Sequence, residues 1–141
     1  MTFKSKKDPL FLTIVFGVIF LIVGVSVLAI IDKGLNLSNT IFHVIDLMVI
    51  ALLLWIFYGT YYQLSATHLK YFCGPIKGKI EISSIKEINK NLTMWVGFKP
   101  ATSRNGLIIK YNKYDEIYIS PINNDDFIAE MLKLNPSISI K

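Results

Sequence analysis

From Leu10 to Ile31 the chain runs 22 residues without a charged side chain, and ~20 residues of helix suffice to cross a hydrocarbon core. A second apolar run of the same length spans Ile41 to Tyr62. It carries His43 and Asp46 near its start, so its uninterrupted part is Leu47 to Tyr58. Between the runs lies "DKGLNLSNT", Asp32 to Thr40, room for little more than a turn between antiparallel helices. The spacing predicts a transmembrane helical hairpin with spans at about 10–31 and 41–62. A cleaved signal sequence is not expected, because the first apolar core exceeds the roughly 7–15 residues of such segments and a second span follows.

Lys4, Lys6 and Lys7 precede the first span and Lys70, Lys77 and Lys79 follow the second, while the connection holds Lys33 offset by Asp32. This bias predicts a multi-pass protein of the cell membrane with both termini in the cytoplasm. Trp55, Phe57, Tyr58, Tyr61 and Tyr62 gather at the inner end of span two, as amphipathic rings do at headgroup level. The net charge of +5 therefore reads as an orientation signal. Nucleic acid is not expected as a partner, since no basic helix or aromatic-studded sheet motif accompanies the lysines. Cys73 is the only cysteine, so an intrachain disulfide is impossible, and its default role is that of a small apolar residue.

Within the spans, Gly17 and Gly24 share a face and are expected to admit Ala51 of the facing helix closely. His43 and Asp46, three residues apart, form a possible intramembrane polar pair. Either they reach the headgroup region together, or they mark a proton relay or ligand contact.

After Tyr62 the composition changes to short alternations broken by Gly, Pro, Asn and Ser. "THLKYFC" and "GPIKGKIEI" predict two strands about a Gly74-Pro75 turn, with Ile80 and Ile82 on one face and Lys79 and Glu81 on the other. "SSIKEI" continues the meander with Ile85 and Ile88 inward. "GLIIKYNKYDEIYIS" predicts a hairpin: Leu107, Ile109 and Tyr111 alternate, a turn falls near Asn112 and Lys113, and Ile117 and Ile119 alternate again. Pro121 stops that strand. Asn123 is placed to cap a helix with Asp125 and Asp126 in its first turn. Phe127, Met131 and Leu134 make one apolar row and Ile128 and Leu132 the next, up to the Asn135-Pro136 stop. The expected architecture is a membrane α-helical hairpin over residues 1–62, followed over 63–141 by a small α+β domain, an antiparallel sheet covered by a C-terminal helix.

The run from Ala101 to Pro136 carries a resemblance. Ser103 and Leu107, Tyr111, the Ile119-Ser120-Pro121 stop, Phe127 and the closing Asn135-Pro136 resemble the carboxy-terminal half of the bacterial pleckstrin-homology-like domain family of YyaB-like and sublancin-immunity-like membrane proteins. "HLKYFCGPIKGKIEISSIKEI" is similar to the preceding strands, and the two spans resemble the same layout. Asn105-Gly106 stands where the family has a charged pair. The resemblance implies a cytoplasmic PH-like module and self-immunity against a secreted antimicrobial peptide, a bacteriocin; the alternative is a membrane-anchored adaptor for another membrane protein or anionic lipid.

An enzyme is not expected. His43 lies in a span, His68 in a strand, and Asp115-Glu116 and Asp125-Asp126 at a turn and a helix start, with no converging nucleophile, base or metal spacing. No cofactor is implied. The residues expected to touch a partner or lipid are Lys77 and Lys79 beside an anionic leaflet and the "LTMWVGF" segment with Trp95 and Phe98, which reads as a bulged core strand, a loop dipping into the membrane or an anchor for a protein partner, with core or interface packing as the default.

Overall fold

A computed structural model describes residues 1–34 and 36–141, the side chains of Ser38 and Asn39 excepted. Asp8 has extended backbone and its carboxylate accepts from the Leu10 amide at 3.0 Å, with Pro9 in the first helical position, so helix α1 runs Pro9–Lys33. Helix α2, Leu37–Tyr58, follows residues 34–36. Both helices are long and apolar enough to cross a membrane, and only 6% of the most apolar window of each is buried. That much exposed aliphatic surface on all sides has no place in water.

The rest of the chain forms two four-stranded sheets. The first has the order β1 (Thr2–Lys4), β2 (Tyr61–Leu64), β3 (His68–Cys73), β4 (Ile76–Glu81), with every pairing antiparallel. The second has the order β7 (Asp115–Ile119), β6 (Gly106–Tyr111), β5 (Ile85–Leu92), β8 (Ser139–Ile140), in which β8 runs parallel to β5. Helix α3, Asn124–Leu134, is capped by Asn123, whose side chain accepts from the Asp125 and Asp126 amides. Its Phe127, Ile128 and Met131 are buried in one core with Leu69 and Ile80 of the first sheet and Ile88, Leu107 and Ile119 of the second.

The β3–β4 pair, the β6–β7 hairpin and the capped helix stand, but "SSIKEI" does not belong to the first meander: Ile82–Ser84 makes a 3-10 turn and Ile85–Leu92 crosses to the second sheet, where it pairs with β6 and β8. The division into two sheets goes beyond the sequence reading, and several local expectations change. Helix α2 ends at Tyr58, so Tyr61 and Tyr62 belong to a strand; Tyr62 and Phe57 are buried, leaving Trp55 and Tyr58 as the exposed aromatic residues there. Thr2–Lys4 is an edge strand of the domain, not a tail before the hairpin. Asp32 and Lys33 lie in the last turn of α1. Gly17 and Gly24 face open space, where an added Cβ would meet nothing within 4 Å, so neither sets the helix contact. Leu134 is exposed at the end of α3.

Asn105-Gly106 has a local reason. Asn105 adopts φ +54°, a conformation Asn tolerates better than most residues. A Cβ on Gly106 would lie 2.2 Å from the Ile119 carbonyl oxygen. The Gly106 amide instead donates to the Tyr118 hydroxyl at 2.9 Å, which donates to the Ser103 carbonyl at 2.8 Å.

Candidate functional site

The register of the first sheet aligns one row of residues across its four strands: Lys4 pairs with Tyr61, Tyr61 with Phe72, and Phe72 with Lys77. Directly paired residues point to the same face, and the Tyr61 and Phe72 rings stack with centroids 4.5 Å apart. The next row on that face is Thr2, Gln63, Lys70 and Lys79. Lys4, Lys70, Lys77 and Lys79 are exposed and, among the described residues, none is in an ion pair. The opposite face carries Phe3, Leu64, Leu69 and Ile80 into the core. Because Tyr61 follows α2 by three residues and a Cβ at Gly74 would meet Ile56 of α2 at 2.8 Å, the Lys4–Lys77 row lies at the helix end of the sheet. Lys6, Lys7, Tyr58 and Tyr61 extend it around a basic hollow of about 590 Å³. There the Lys7 ammonium sits 3.9 Å from the Tyr58 ring centroid, a cation–π contact.

Behind this face, buried polar groups lock the chain on both sides of the hairpin into the domain. Ser5 Oγ lies 3.2 Å from the Tyr62 hydroxyl and 2.9 Å from both Thr102 Oγ1 and Ser120 Oγ. The Tyr62 hydroxyl donates to the Pro100 carbonyl at 2.7 Å and accepts from the Ser120 amide at 3.0 Å, and burial pushes this phenol's pKa up. Beside them Arg104 forks onto the helix cap, donating from Nε to Asp8 Oδ2 at 2.6 Å and from Nη2 to Oδ1 at 3.2 Å. Those bonds hold the Asp8 carboxyl well below the usual carboxylate range. The residue that starts α1 is thus fixed to the segment that leads into β6.

The sequence model described as "Bacterial PH domain" matches residues 60–135. The chain belongs to the bacterial PH domain family. The matched stretch holds β2 through α3; β1, which completes the first sheet, lies before the hairpin and outside the match. No curated protein and no solved structure matches the chain. With two transmembrane helices ahead of the match, this is a membrane-associated bacterial PH domain protein.

The remaining residues singled out by sequence separate in space. Lys77 and Lys79 lie on the basic face of the PH domain, joined there by Lys4 and Lys70. Trp95 is 76% exposed and Val96 85%, so the core reading fails for Trp95: residues 93–100 form a loop, with Met94 and Pro100 buried and Phe98 half-exposed against Tyr71 at 5.5 Å between ring centroids. In the hairpin, His43 Nδ1 is 3.9 Å from Asp46 Oδ2, and Ser26 of α1 donates to the same carboxylate oxygen. Ser26 escaped the sequence reading, although a lone hydroxyl in an apolar span is a signal for an interhelical bond. Asp46 lies nine residues into α2, about 13 Å along its axis at ~1.5 Å per residue, and so deeper than the expected span boundary placed it. His68 meets the neighbouring Thr67, Asp115 meets Asn112, and Asp125 pairs with Lys90. These groups do not converge, and among the described residues no three His, Cys, Asp or Glu side chains are grouped for a metal.

Proposed function

We propose that the protein is a non-enzymatic, membrane-anchored recognition module with both termini in the cytoplasm, whose PH domain applies its basic sheet face to anionic lipid headgroups of the inner leaflet. The observation that carries this reading is the Lys4–Tyr61–Phe72–Lys77 row at the helix end of the sheet, continued by Lys70 and Lys79. Lysines held near an anionic surface contribute about 1 kcal/mol each, and the stacked Tyr61–Phe72 pair suits the headgroup level. The hairpin supplies the anchoring, so the face acts in choosing and orienting. The experiment is hydrogen exchange of residues 68–81 in the full chain, reconstituted in bilayers of phosphatidylcholine alone or mixed with phosphatidylglycerol. Exchange slows with the anionic lipid, and the protection disappears in a Lys70→Gln/Lys77→Gln/Lys79→Gln variant and at high salt. Equal exchange in both bilayers refutes the reading.

Within this frame, the finer role is protection of a cell against a secreted antimicrobial peptide, as the family resemblance implies. Only residues 34–36 join the two helices at the end away from the domain, which favours action from within the bilayer or from the cytoplasmic face over capture outside. Expression in a sensitive bacterium then raises the inhibitory concentration of one such peptide. If none loses potency while the protein is in the membrane, the role is that of an adaptor for another membrane protein.

A further inference from the structure

On the other side of the first sheet from its lysines, the 93–100 loop stands against the roots of both helices. Met94 and Trp95 share a cleft of about 370 Å³ with Leu10, Phe11 and Ile14 of α1 and Ile56 of α2. Its polar end is formed by the Asp8–Arg104 pair and by Lys99, whose ammonium donates to the Trp95 carbonyl at 3.2 Å. Gly97, at φ +115°, turns the loop so that Met94 points inward while Trp95 and Val96 project. Ile14 is five residues into α1, about 7.5 Å along a helix rising ~1.5 Å per residue. A loop that lines one cleft with Ile14 therefore faces a stretch of α1 inside its apolar span.

We propose that the 93–100 loop is a third membrane element, with Trp95 and Val96 inserted at the headgroup–acyl boundary of the leaflet on the domain's side, and that the cleft behind it holds an acyl chain of a bilayer phospholipid. A tryptophan, a valine and half of a phenylalanine exposed together make an apolar patch that water disfavours, and indole is the side chain best suited to this boundary. The cleft walls are aliphatic and aromatic where α1 and α2 provide them, and its polar lining adds one uncompensated cation, Lys99, to the Asp8–Arg104 pair, a partner for the phosphodiester at the head of that chain. Its occupant comes from the bilayer because the walls formed by Leu10, Ile14 and Ile56 belong to the spans themselves. This site is independent of the basic sheet face.

The full chain carrying Trp55→Phe keeps Trp95 as its sole tryptophan and is reconstituted in phosphatidylcholine bilayers with brominated or unbrominated chains. Trp95 emission is expected to be blue-shifted, shielded from iodide, and mostly lost to bromine near the glycerol end of the chain, with weaker loss to bromine near the terminal methyl. Phosphatidylcholine with a diazirine on the acyl chain is expected to crosslink to residues 93–104, and Ile14→Trp, which fills the cleft from a lipid-facing position, to reduce that crosslink several-fold. Iodide quenching as complete as in the denatured chain, without quenching by bromine, overturns the insertion. Crosslinks confined to the outward faces of α1 and α2, or unchanged by Ile14→Trp, overturn the acyl site and leave the cleft to a protein partner.

Discussion

In α1, Leu21 and Leu28 are exposed at 65% and 67%, whereas in the PH domain Leu69 and Leu107 are not exposed at all. The residue type is the same and the solvent differs. Around α1 the apolar residues have no preferred side, because a lipid-facing helix has no polar face to offer. In the strands they alternate, because one face meets a core and the other meets lysines and water. The two regions are also held together by different means. The hairpin helices share a few ring contacts, such as Phe11 and Phe16 against Phe57, and the Ser26–Asp46 bond. The domain has a continuous core and a buried polar network.

The largest expected effect separates the regions. Phe127 is fully buried, edge-on to Phe3 at 5.1 Å and to Tyr62 at 6.5 Å between ring centroids. Phe127→Ala is expected to cost about 3–5 kcal/mol, as for comparable core truncations, and to abolish hydrogen-exchange protection in β2–β7 while both helices stay inserted. A common loss in helices and strands would show that the regions are one cooperative unit. Next comes Ser5→Val, which leaves the Ser120 hydroxyl without an acceptor, whereas Tyr62 keeps the Pro100 carbonyl and Thr102 the Lys6 carbonyl. Each buried group left so costs about 1–3 kcal/mol, and protease sensitivity of the 1–8 segment in bilayers reports it. A wild-type digestion pattern would return this segment to the hairpin.

Acid is expected to act on the domain and on the cap that joins it to α1. Lys141 and then Lys110 hydrogen-bond the Glu87 carboxylate and lower its pKa from 4.5 to about 2. A carboxylate depressed in the folded state stabilises fully above its unfolded value and loses that contribution as pH falls through the folded one. Domain stability should therefore decline between pH 4.5 and about 2, less steeply in Glu87→Gln, while helix content in the bilayer holds. Asp8, lowered by Arg104, has the same sign. The smallest effect belongs to the hairpin: Asp46→Leu removes the Ser26 bond, and interhelical hydrogen bonds average about 0.6 kcal/mol in membranes. Disulfide trapping between cysteines placed on α1 and α2 measures it, and domain hydrogen exchange should not change.

Local sequence made the β6–β7 hairpin, the Gly74-Pro75 turn and the Asn123 cap legible, because each is specified within a few residues by alternation, turn chemistry or a side-chain acceptor. The pieces that escaped are short or joined over long distances. Thr2–Lys4 has no periodicity to read, and its strand partner lies beyond both helices. Arg104 is 96 residues from Asp8, and nothing near either residue announces the other. Ser5, Thr102 and Ser120 look like loop residues until they are seen to meet around Tyr62. Of the candidate site, Lys77 and Lys79 were legible as charges beside a span, but Lys4 joins them only through the register of a strand pair. Trp95 stays open between core, membrane and partner in the sequence because its segment has no period to read, and the default goes to packing since an aromatic residue in a soluble domain is most often buried.

Since Thr2–Lys4 pairs with Tyr61–Leu64, the whole hairpin is topologically the β1–β2 connection of the domain, and Ser5 meets Tyr62 across 57 residues of chain. β1 is made before both helices and β2 after them, so the edge strand has no partner until the whole hairpin has been made. A protein whose second helix failed to cross would leave β1 and β2 on opposite sides, with no edge strand, no partner for Ser5 and no cap contact for Arg104. Closure of the first sheet therefore requires both ends of the hairpin to meet at one place, so the path of the helices and the completion of the domain are a single topological condition.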